Sequence, residues 1–303
     1  MSAERPDVGD AAAAAAAPLP TERRGIRKGL YLIPSAFTAA NIGMGYFAVM
    51  GALRGFQLLE GGTEEELIQA TSHFDNAARA IGWAVVFDAL DGRIARLTKT
   101  TTEIGVQLDS IADVVTFGIA PAVLAYAWGY GSAFAEGSGA HKLGWFISFM
   151  FLICGAFRLA RFNVQATRPR VLAEGLVKVD KKNFVGLPIP MAGGFIAALV
   201  HFSPSPLSFH GVERGAIYSG LLMGAIALLS FLMVSTVRYT SFKTVGVGRR
   251  STRLAVLAIA ASGMLVWLYS RYVLVTMVGA YILYGLLGRL LAGLFRHRGT
   301  GQH

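Results

Sequence analysis

The chain has almost none of the residues from which disulfide frameworks and zinc sites are built. It contains a single cysteine, Cys154, so an intramolecular disulfide is excluded. Because Cys154 lies within an apolar stretch, we interpret it as a small packing residue. The six histidines are scattered over predicted loops, helix ends and the tail, and they form no ligand cluster in the sequence. We therefore assign no catalytic role to any histidine.

Charged residues are also scarce: they make up 15% of the chain, against 54% hydrophobic residues. This composition excludes an ordinary soluble domain and indicates an integral membrane protein of the helical type. The net charge of +10 would suggest a nucleic acid as partner in a soluble protein, but here the basic residues cluster at the ends of apolar segments. Membrane orientation and anionic lipid head groups explain that distribution better, so we expect membrane lipids and no nucleic acid as partners.

The apolar segments predict an all-α, polytopic membrane helix bundle with about eight transmembrane helices. The loops between them are too short to fold alone, and the sequence has no internal repeat and no second soluble domain. The predicted helices span residues 30–53, 77–97, 104–130, 143–163, 184–202, 214–237, 254–270 and 272–295.

Eight crossings would place both termini on the same side of the membrane. Segment ends and loops on that side hold 23 of the 28 lysines and arginines, so the positive-inside rule predicts cytoplasmic termini. Residues 1–28 are expected to be a disordered cytoplasmic tail, because seven successive alanines are not hydrophobic enough for the core of a signal peptide.

Four aspartates lie inside or beside apolar segments, where packing does not explain them: Asp88, Asp91, Asp109 and Asp113. An aspartate near the centre of a spanning helix costs roughly 2.5–3.5 kcal/mol, so four of them require cations, protons or water as compensation. Asp88 and Asp91 are three residues apart and share one helix face. Asp109 and Asp113 are four residues apart and share a face of the next helix.

The polar run 98–102 predicts a turn between these two helices, which makes them antiparallel. Counted from the turn, both pairs of aspartates lie at matching depth, about 13–20 Å along the helices. Gly92 and Gly105 remove side-chain bulk beside each pair and would let a backbone or a ligand approach closely. Four converging carboxylates predict a site for a hard divalent cation such as Mg²⁺ or Mn²⁺.

A purely structural ion-pair network with Arg93 and Arg96 is the alternative interpretation, but two arginines do not balance four aspartates. A cytoplasm-facing cavity that holds divalent metal suits a substrate that is part phosphate and part lipid. A carboxylate not needed for the metal would accept a proton from an attacking hydroxyl. Asp113, the deepest along its helix, is the natural candidate for that base.

Several other residues have both a functional and a structural interpretation. One of Arg158 and Arg161 would hold a substrate carboxylate or phosphate, with Asn163 at the same mouth; alternatively, both arginines mark a helix end and bind lipid head groups. Thr38 and Asn41 either line the site or tighten helix contacts.

The run Asp88-x2-Asp91-Gly92-x2-Ala95-Arg96-x8-Gly105-x3-Asp109-x3-Asp113 resembles, at every fixed position, the signature of the CDP-alcohol phosphatidyltransferase family. Further motifs are similar to one branch of that family, the phosphatidylserine synthases. These are Phe117-Gly118, Arg158-x2-Arg161-Phe-Asn163, Gly186-Leu-Pro188 and Arg238-Tyr239. One position departs from the branch, because Ile189 follows Pro188 where a small residue is expected.

The resemblance implies a six-helix catalytic core over residues 29–245, followed by two additional helices and a basic tail over 246–303. It implies a homodimer in the inner membrane that binds two divalent metals. The metal ligands would be Asp88, Asp91 and Asp109, and Asp113 would reach the metals and act as general base. The residues expected to bind the nucleotide donor are Gly92, Ala95, Arg96, Gly105, Thr38 and Asn41. The residues expected to bind the acceptor are Arg158, Arg161, Asn163, Pro188 and Lys243.

The expected reaction transfers the phosphatidyl group of CDP-diacylglycerol to the hydroxyl of L-serine and releases CMP. Glycerol 3-phosphate or an inositol phosphate is the alternative acceptor, because the metal motif handles only the shared donor. A transporter that uses intramembrane carboxylates is the alternative from another class. It is less favoured, because polar residues concentrate near one end of the spans and do not continue to the other.

Overall fold

The computed structural model describes residues 24–98, 103–167, 183–236, 238–240 and 263–286. They form a helical bundle with one short antiparallel ribbon, which confirms the predicted membrane helix fold. The elements in chain order are α1 (Arg24–Leu58), α2 (Glu64–Thr98), α3 (Glu103–Asp113), a π-helical turn (Val114–Ile119), α4 (Ala120–Ala125), a second π-helical turn (Tyr126–Tyr130), α5 (Gly139–Thr167), β1 (Asn183–Val185), α6 (Ile189–Phe202), a 3-10 turn (Leu207–His210), α7 (Val212–Val234), β2 (Arg238–Thr240) and α8 (Gly263–Leu286).

Five helical segments are long and apolar enough to cross a membrane, and α6 is a shorter apolar helix. These five segments are Ala36–Leu58, Ile104–Tyr130, Gly139–Val164, Val212–Val234 and Gly263–Leu286. The remaining long helix, α2, is more polar, but its outer face exposes Trp83, Val86 and Leu90. That apolar face suits contact with lipid, so α2 completes the bundle beside α1.

The first connection is much shorter than the sequence predicted. The predicted helices over 30–53 and 77–97 leave residues 54–76 as a loop, which is wrong, because α1 continues to Leu58 and α2 begins at Glu64. Thr63 and Glu66 form a capping box: the Thr63 hydroxyl accepts a hydrogen bond from the Glu66 amide at 3.2 Å, and the Glu66 carboxylate accepts one from the Thr63 amide. The side-chain and backbone hydrogen bonds from Thr63 lower the pKa of Glu66. Ala70 and Phe74 are fully buried, so the first turns of α2 pack against the rest of the bundle.

Residues 103–130 form one continuous rod in which α3 and α4 are joined by a π-helical turn. The rod passes very close to α1, since a Cβ added at Gly45 would lie 2.5 Å from the hydroxyl of Thr116. That hydroxyl donates a hydrogen bond of 3.0 Å to the backbone carbonyl of Asn41. The contact fixes the depth of α1 against the aspartate-bearing part of the rod.

The start of α6 and the end of α7 also differ from the prediction of helices over 184–202 and 214–237. Residues 183–185 pair with residues 238–240 as an antiparallel ribbon, with Phe184 opposite Tyr239. Gly186 then adopts a φ of 82°, which a helix does not allow, and Pro188 caps α6. Helix formation is therefore delayed until Ile189.

The predicted turn near residue 271 is wrong, because α8 runs without interruption through Arg271. Residues 264–278, on both sides of the predicted turn, contain neither glycine nor proline, and Arg271 alone does not end a helix. The helix α8 is antiparallel to α6: Ser270 contacts His201 near the end of α6, and Gly279 lies against Phe195 nearer its start. The end of α7 lies beside the start of α6, since the amide of Leu187 donates a hydrogen bond to the carbonyl of Leu232.

Candidate active site

Three of the four predicted carboxylates come together between α2 and α3. One carboxylate oxygen from each of Asp88, Asp109 and Asp113 lies within 4.8 Å of the others. The antiparallel pairing of α2 and α3 produces this arrangement, because α2 ends at Thr98 and α3 begins at Glu103, on either side of the predicted turn. Three like charges at this distance repel one another strongly unless a cation lies between them.

The fourth aspartate, Asp91, is held differently. It is 6% exposed and accepts a short hydrogen bond from the hydroxyl of Thr38 on α1. It remains close enough to Asp88 and Asp109 to interact with both electrostatically. The structure therefore places Asp91 beside the three-carboxylate group, and its role as a direct metal ligand stays a prediction.

One helical turn after Thr38, the side chain of Asn41 is buried at the same end of α1. It is 1% exposed, and neither its amide nitrogen nor its amide oxygen has a hydrogen-bond partner among the described residues. Leaving such groups unpaired in the interior costs about 1–3 kcal/mol each, so the position suits a polar ligand. Of the two α1 residues singled out from the sequence, Thr38 contacts Asp91, and Asn41 lies one turn further along the same helix.

A guanidinium faces the carboxylate group from α5. Arg158 lies close enough to Asp113 for their opposite charges to attract, and it also interacts electrostatically with Tyr281 of α8. The Arg158 Nε is buried and has no hydrogen-bond partner among the described residues. Arg161, in contrast, is exposed to the surroundings of the bundle. Of the two arginines, Arg158 is the one that lies at the carboxylates.

Asn163 is engaged with the neighbouring helix. Its amide nitrogen donates a hydrogen bond of 2.8 Å to the hydroxyl of Ser110, which in turn donates to the carbonyl of Val106 at 3.0 Å. Ser110 directly follows Asp109 in the chain. In the structure, Asn163 thus fixes α5 against α3 beside a carboxylate of the site.

Pro188 is the N-cap of α6, and its carbonyl accepts hydrogen bonds from the amides of Met191 and Ala192. The residue that departs from the expected pattern, Ile189, is fully buried. Its Cδ1 occupies the space that a Cβ would need at Gly155, 2.5 Å away, and approaches Gly118. The larger side chain is therefore accommodated by packing between helices.

Of the predicted donor-side residues, Gly92 is exposed and Gly105 is partly buried at the ends of the two aspartate-bearing helices. The side chains of Ala95 and Arg96 lie outside the described residues, and so does Lys243.

Sequence reasoning missed two residues at the site, Thr116 and Tyr281. Thr116 holds α1 through the carbonyl of Asn41, and its position one turn after Asp113 was the available sign. Tyr281 comes from α8, for which the sequence offered no motif, so only the packing of α8 against the core reveals it.

The donor set fits a hard divalent cation. All three grouped ligands are carboxylates, and one oxygen of Asp113 is buried without a hydrogen-bond partner among the described residues. Oxygen-only ligands are typical of Mg²⁺ and Mn²⁺. The site thus combines three carboxylates that could hold a cation with a nearby guanidinium.

Comparison with known proteins agrees with this combination of fold and site. The sequence model of the CDP-alcohol phosphatidyltransferase family matches residues 31–286. The chain belongs to this family, whose members are phosphotransferases.

Curated relatives come from bacteria, archaea and yeast. A CDP-diacylglycerol–serine O-phosphatidyltransferase of Helicobacter pylori strain J99 is 32% identical over 258 residues, which cover 85% of this chain and 91% of the relative. Proteins of the same name from Methanocaldococcus jannaschii and Saccharomyces cerevisiae are 34% and 32% identical over 55% and 56% of this chain, covering 65% and 57% of their own lengths.

Proposed function

We propose that this protein transfers the phosphatidyl group of CDP-diacylglycerol to the hydroxyl of L-serine, which yields phosphatidylserine and CMP. The observation that carries the proposal is the convergence of Asp88, Asp109 and Asp113 beside Arg158. The names of the relatives, which include serine as the acceptor, support the choice of substrate.

The carboxylate group is the proposed holder of two divalent ions, with Asp88, Asp91 and Asp109 as ligands and Asp113 in reach. When bound, Mg²⁺ or Mn²⁺ would neutralise the pyrophosphate of the donor and stabilise the charge of the leaving CMP. Thr38 fixes Asp91 by its hydrogen bond, so α1 contributes directly to the orientation of this ligand. The unpaired amide of Asn41 on the same face provides hydrogen bonds for the nucleotide.

Asp113 is the proposed general base. It would accept the proton of the serine hydroxyl as the oxygen forms a bond to the phosphorus and the bond from phosphorus to the CMP oxygen breaks. Its buried oxygen without a hydrogen-bond partner among the described residues is available for such a proton.

Arg158 is the proposed recognition residue for the serine carboxylate. A guanidinium binds a carboxylate through two parallel hydrogen bonds, which gives both affinity and orientation. The neighbouring Asp113 would then lie beside the hydroxyl of the same small molecule. Arg161 is better suited to lipid head groups at the membrane surface, because it is exposed.

The proposed location is the inner membrane, with the termini and the carboxylate end of the bundle on the cytoplasmic side. The distribution of basic residues supports this orientation, since 23 of the 28 lysines and arginines belong to that side. A homodimer built on the catalytic core of residues 29–245 remains a proposal.

The acceptor is tested by CMP release from the purified protein with CDP-diacylglycerol and Mn²⁺ or Mg²⁺. L-Serine, glycerol 3-phosphate and inositol phosphate are added separately. Release that depends on L-serine alone is the expected result. Release with another acceptor would keep the donor chemistry and overturn serine as substrate.

A further inference from the structure

A groove of about 590 Å³ lies on the outer face of α5, near the start of that helix. Its apolar wall is formed by Trp145, Phe146 and Phe149, which are 66%, 54% and 57% exposed. Glu136 and Lys142, which precede these aromatic residues in the chain, also line the groove. The groove therefore combines an apolar surface with one anionic and one cationic side chain.

The segment that carries Glu136 is held against the start of α5. Gly137 has a φ of 77°, which turns the chain just before the helix. The Ser138 hydroxyl accepts a hydrogen bond of 3.2 Å from the amide of His141, and the Ser138 carbonyl accepts one of 3.0 Å from the amide of Lys142. Ser138 thus caps α5, so the turn that contains Glu136 has a defined position beside the first turn of the helix.

The two charged side chains of the groove do not neutralise each other. Within the part of the chain that the structure describes, neither Glu136 nor Lys142 forms a salt bridge. His141, which also lines the groove, lies 3.2 Å from the hydroxyl of Tyr126 through Nε2, while its Nδ1 has no hydrogen-bond partner among the described residues. Two unpaired charges of opposite sign in one groove are complementary to a ligand that itself carries both signs.

The length of α5 places this groove far from the carboxylates. Near the other end of α5, Asn163 donates a hydrogen bond of 2.8 Å to Ser110, which directly follows Asp109. His141 precedes Asn163 by 22 residues, or about 33 Å along the helix at roughly 1.5 Å per residue. The hydrocarbon core of a bilayer is about 30 Å thick. The groove therefore lies at the membrane surface opposite to the carboxylates, where aromatic side chains commonly contact lipid head groups.

We propose that this groove binds a zwitterionic phospholipid with a primary ammonium group, taken from the leaflet opposite to the carboxylates. The phosphate pairs with Lys142, the ammonium group donates hydrogen bonds to Glu136, and an acyl chain lies along the aromatic wall. This lipid is not the donor substrate, because the carboxylates proposed to bind the donor lie at the other end of α5. The groove is thus a second lipid site, separate from the proposed reaction.

The test measures lipid binding to the purified full-length protein by native mass spectrometry, with phosphatidylethanolamine and phosphatidylglycerol as probes. Both lipids carry the phosphate, but only phosphatidylethanolamine carries the ammonium group. Lys142→Ala should weaken the binding of both lipids about fivefold, whereas Glu136→Gln should weaken that of phosphatidylethanolamine alone by a similar factor. Arg214→Ala and Glu213→Gln are the matched controls, because these two charges are exposed at the start of α7 and lie outside the groove. Both control variants should bind the two lipids as the wild type does.

Two results for the variants would overturn the inference. One is an equal loss of binding in the groove variants and the controls, which would mean that surface charge in general attracts the lipid. The other is a Glu136→Gln variant that binds phosphatidylethanolamine like the wild type, which would remove the ammonium contact.

The place of binding is tested with phosphatidylethanolamine that carries a photoreactive group in its acyl chain. Labelling of residues 141–149 is the expected result. Absence of label from this segment, as would follow if a second copy of the chain covered the groove, would overturn the inference. None of these measurements uses CMP release, so their outcome is independent of the proposed function.

Discussion

Thr38 on α1 donates a short hydrogen bond to Asp91 on α2, across 53 residues of sequence. Asp91 is buried, so this hydroxyl compensates part of the cost of placing a charge at membrane depth. The contact also joins α1 to the group of carboxylates that the structure assembles from α2 and α3.

Thr38→Val keeps the shape of the side chain and removes the donor. We expect CMP release to fall about tenfold, because a buried carboxylate that loses its partner costs about 1–3 kcal/mol and no longer keeps its orientation. Thr276→Val is the control, since the hydroxyl of Thr276 donates to the carbonyl of Tyr272 within its own helix. If Thr38→Val and Thr276→Val were equally active, the hydrogen bond from Thr38 to Asp91 would not contribute to activity.

Substitutions within the carboxylate group should separate metal binding from proton transfer. Asp88→Asn and Asp109→Asn are expected to weaken Mn²⁺ binding, measured by titration, and CMP release together. Asp113→Asn should abolish turnover while binding of CDP-diacylglycerol stays measurable, because the base is needed only for chemistry. Glu65→Gln, at the exposed start of α2, is the control. Substantial turnover by Asp113→Asn would exclude Asp113 as the base.

The contact between Gly155 and Ile189 gives a prediction about stability. In an exposed helix interior, Gly→Ala stabilises by up to about 1 kcal/mol. At Gly155 the added methyl would lie 2.5 Å from Ile189 Cδ1, so Gly155→Ala should lower the melting temperature in detergent.

Gly220→Ala on α7 is the matched control, because nothing lies within 4 Å of the added carbon, and its melting temperature should be unchanged or higher. Ile189→Val combined with Gly155→Ala should recover part of the loss. A melting temperature for Gly155→Ala equal to that of Gly220→Ala would show that the packing of Ile189 is not as close as described.

Asp75, His201 and Ser270 form a polar chain at the end of the bundle remote from the carboxylates, and this chain predicts a graded loss of stability. His201→Ala leaves Asp75 with fewer partners and opens a gap, so it should destabilise more than Ser270→Ala, which removes one hydrogen bond worth about 0.6–1.7 kcal/mol in a membrane protein. Melting temperatures in detergent compare the loss of stability in the two variants. Ser72→Ala, on the exposed face of α2, is the control. The opposite order would mean that His201 is not the centre of the chain.

The sequence was sufficient to predict the helical membrane fold and the meeting of Asp88, Asp109 and Asp113. Helical periodicity and the position of one turn decide both, and these are local properties. The loop over 54–76 was wrong because Glu64, Glu65 and Glu66 form the first turn of α2 after the capping box at Thr63.

The remaining features depend on contacts between distant segments. His201 pairs with Asp75 over 126 residues and with Ser270 over 69, and nothing in the local sequence of any of the three indicates the others. The packing of Tyr281 against the core likewise follows from how α8 lies on α6. The ribbon of residues 183–185 and 238–240 is too short to show an alternating pattern, so its pairing was not predictable.

The most direct test of the central claim follows radiolabelled L-serine into lipid while CMP is measured in the same reaction. The account predicts equal amounts of labelled phosphatidylserine and CMP from the wild type with Mn²⁺ or Mg²⁺. It also predicts loss of both products on chelation of the metal and in Asp113→Asn. Formation of labelled lipid without an equivalent of CMP, or undiminished transfer in the presence of a chelator, would contradict it.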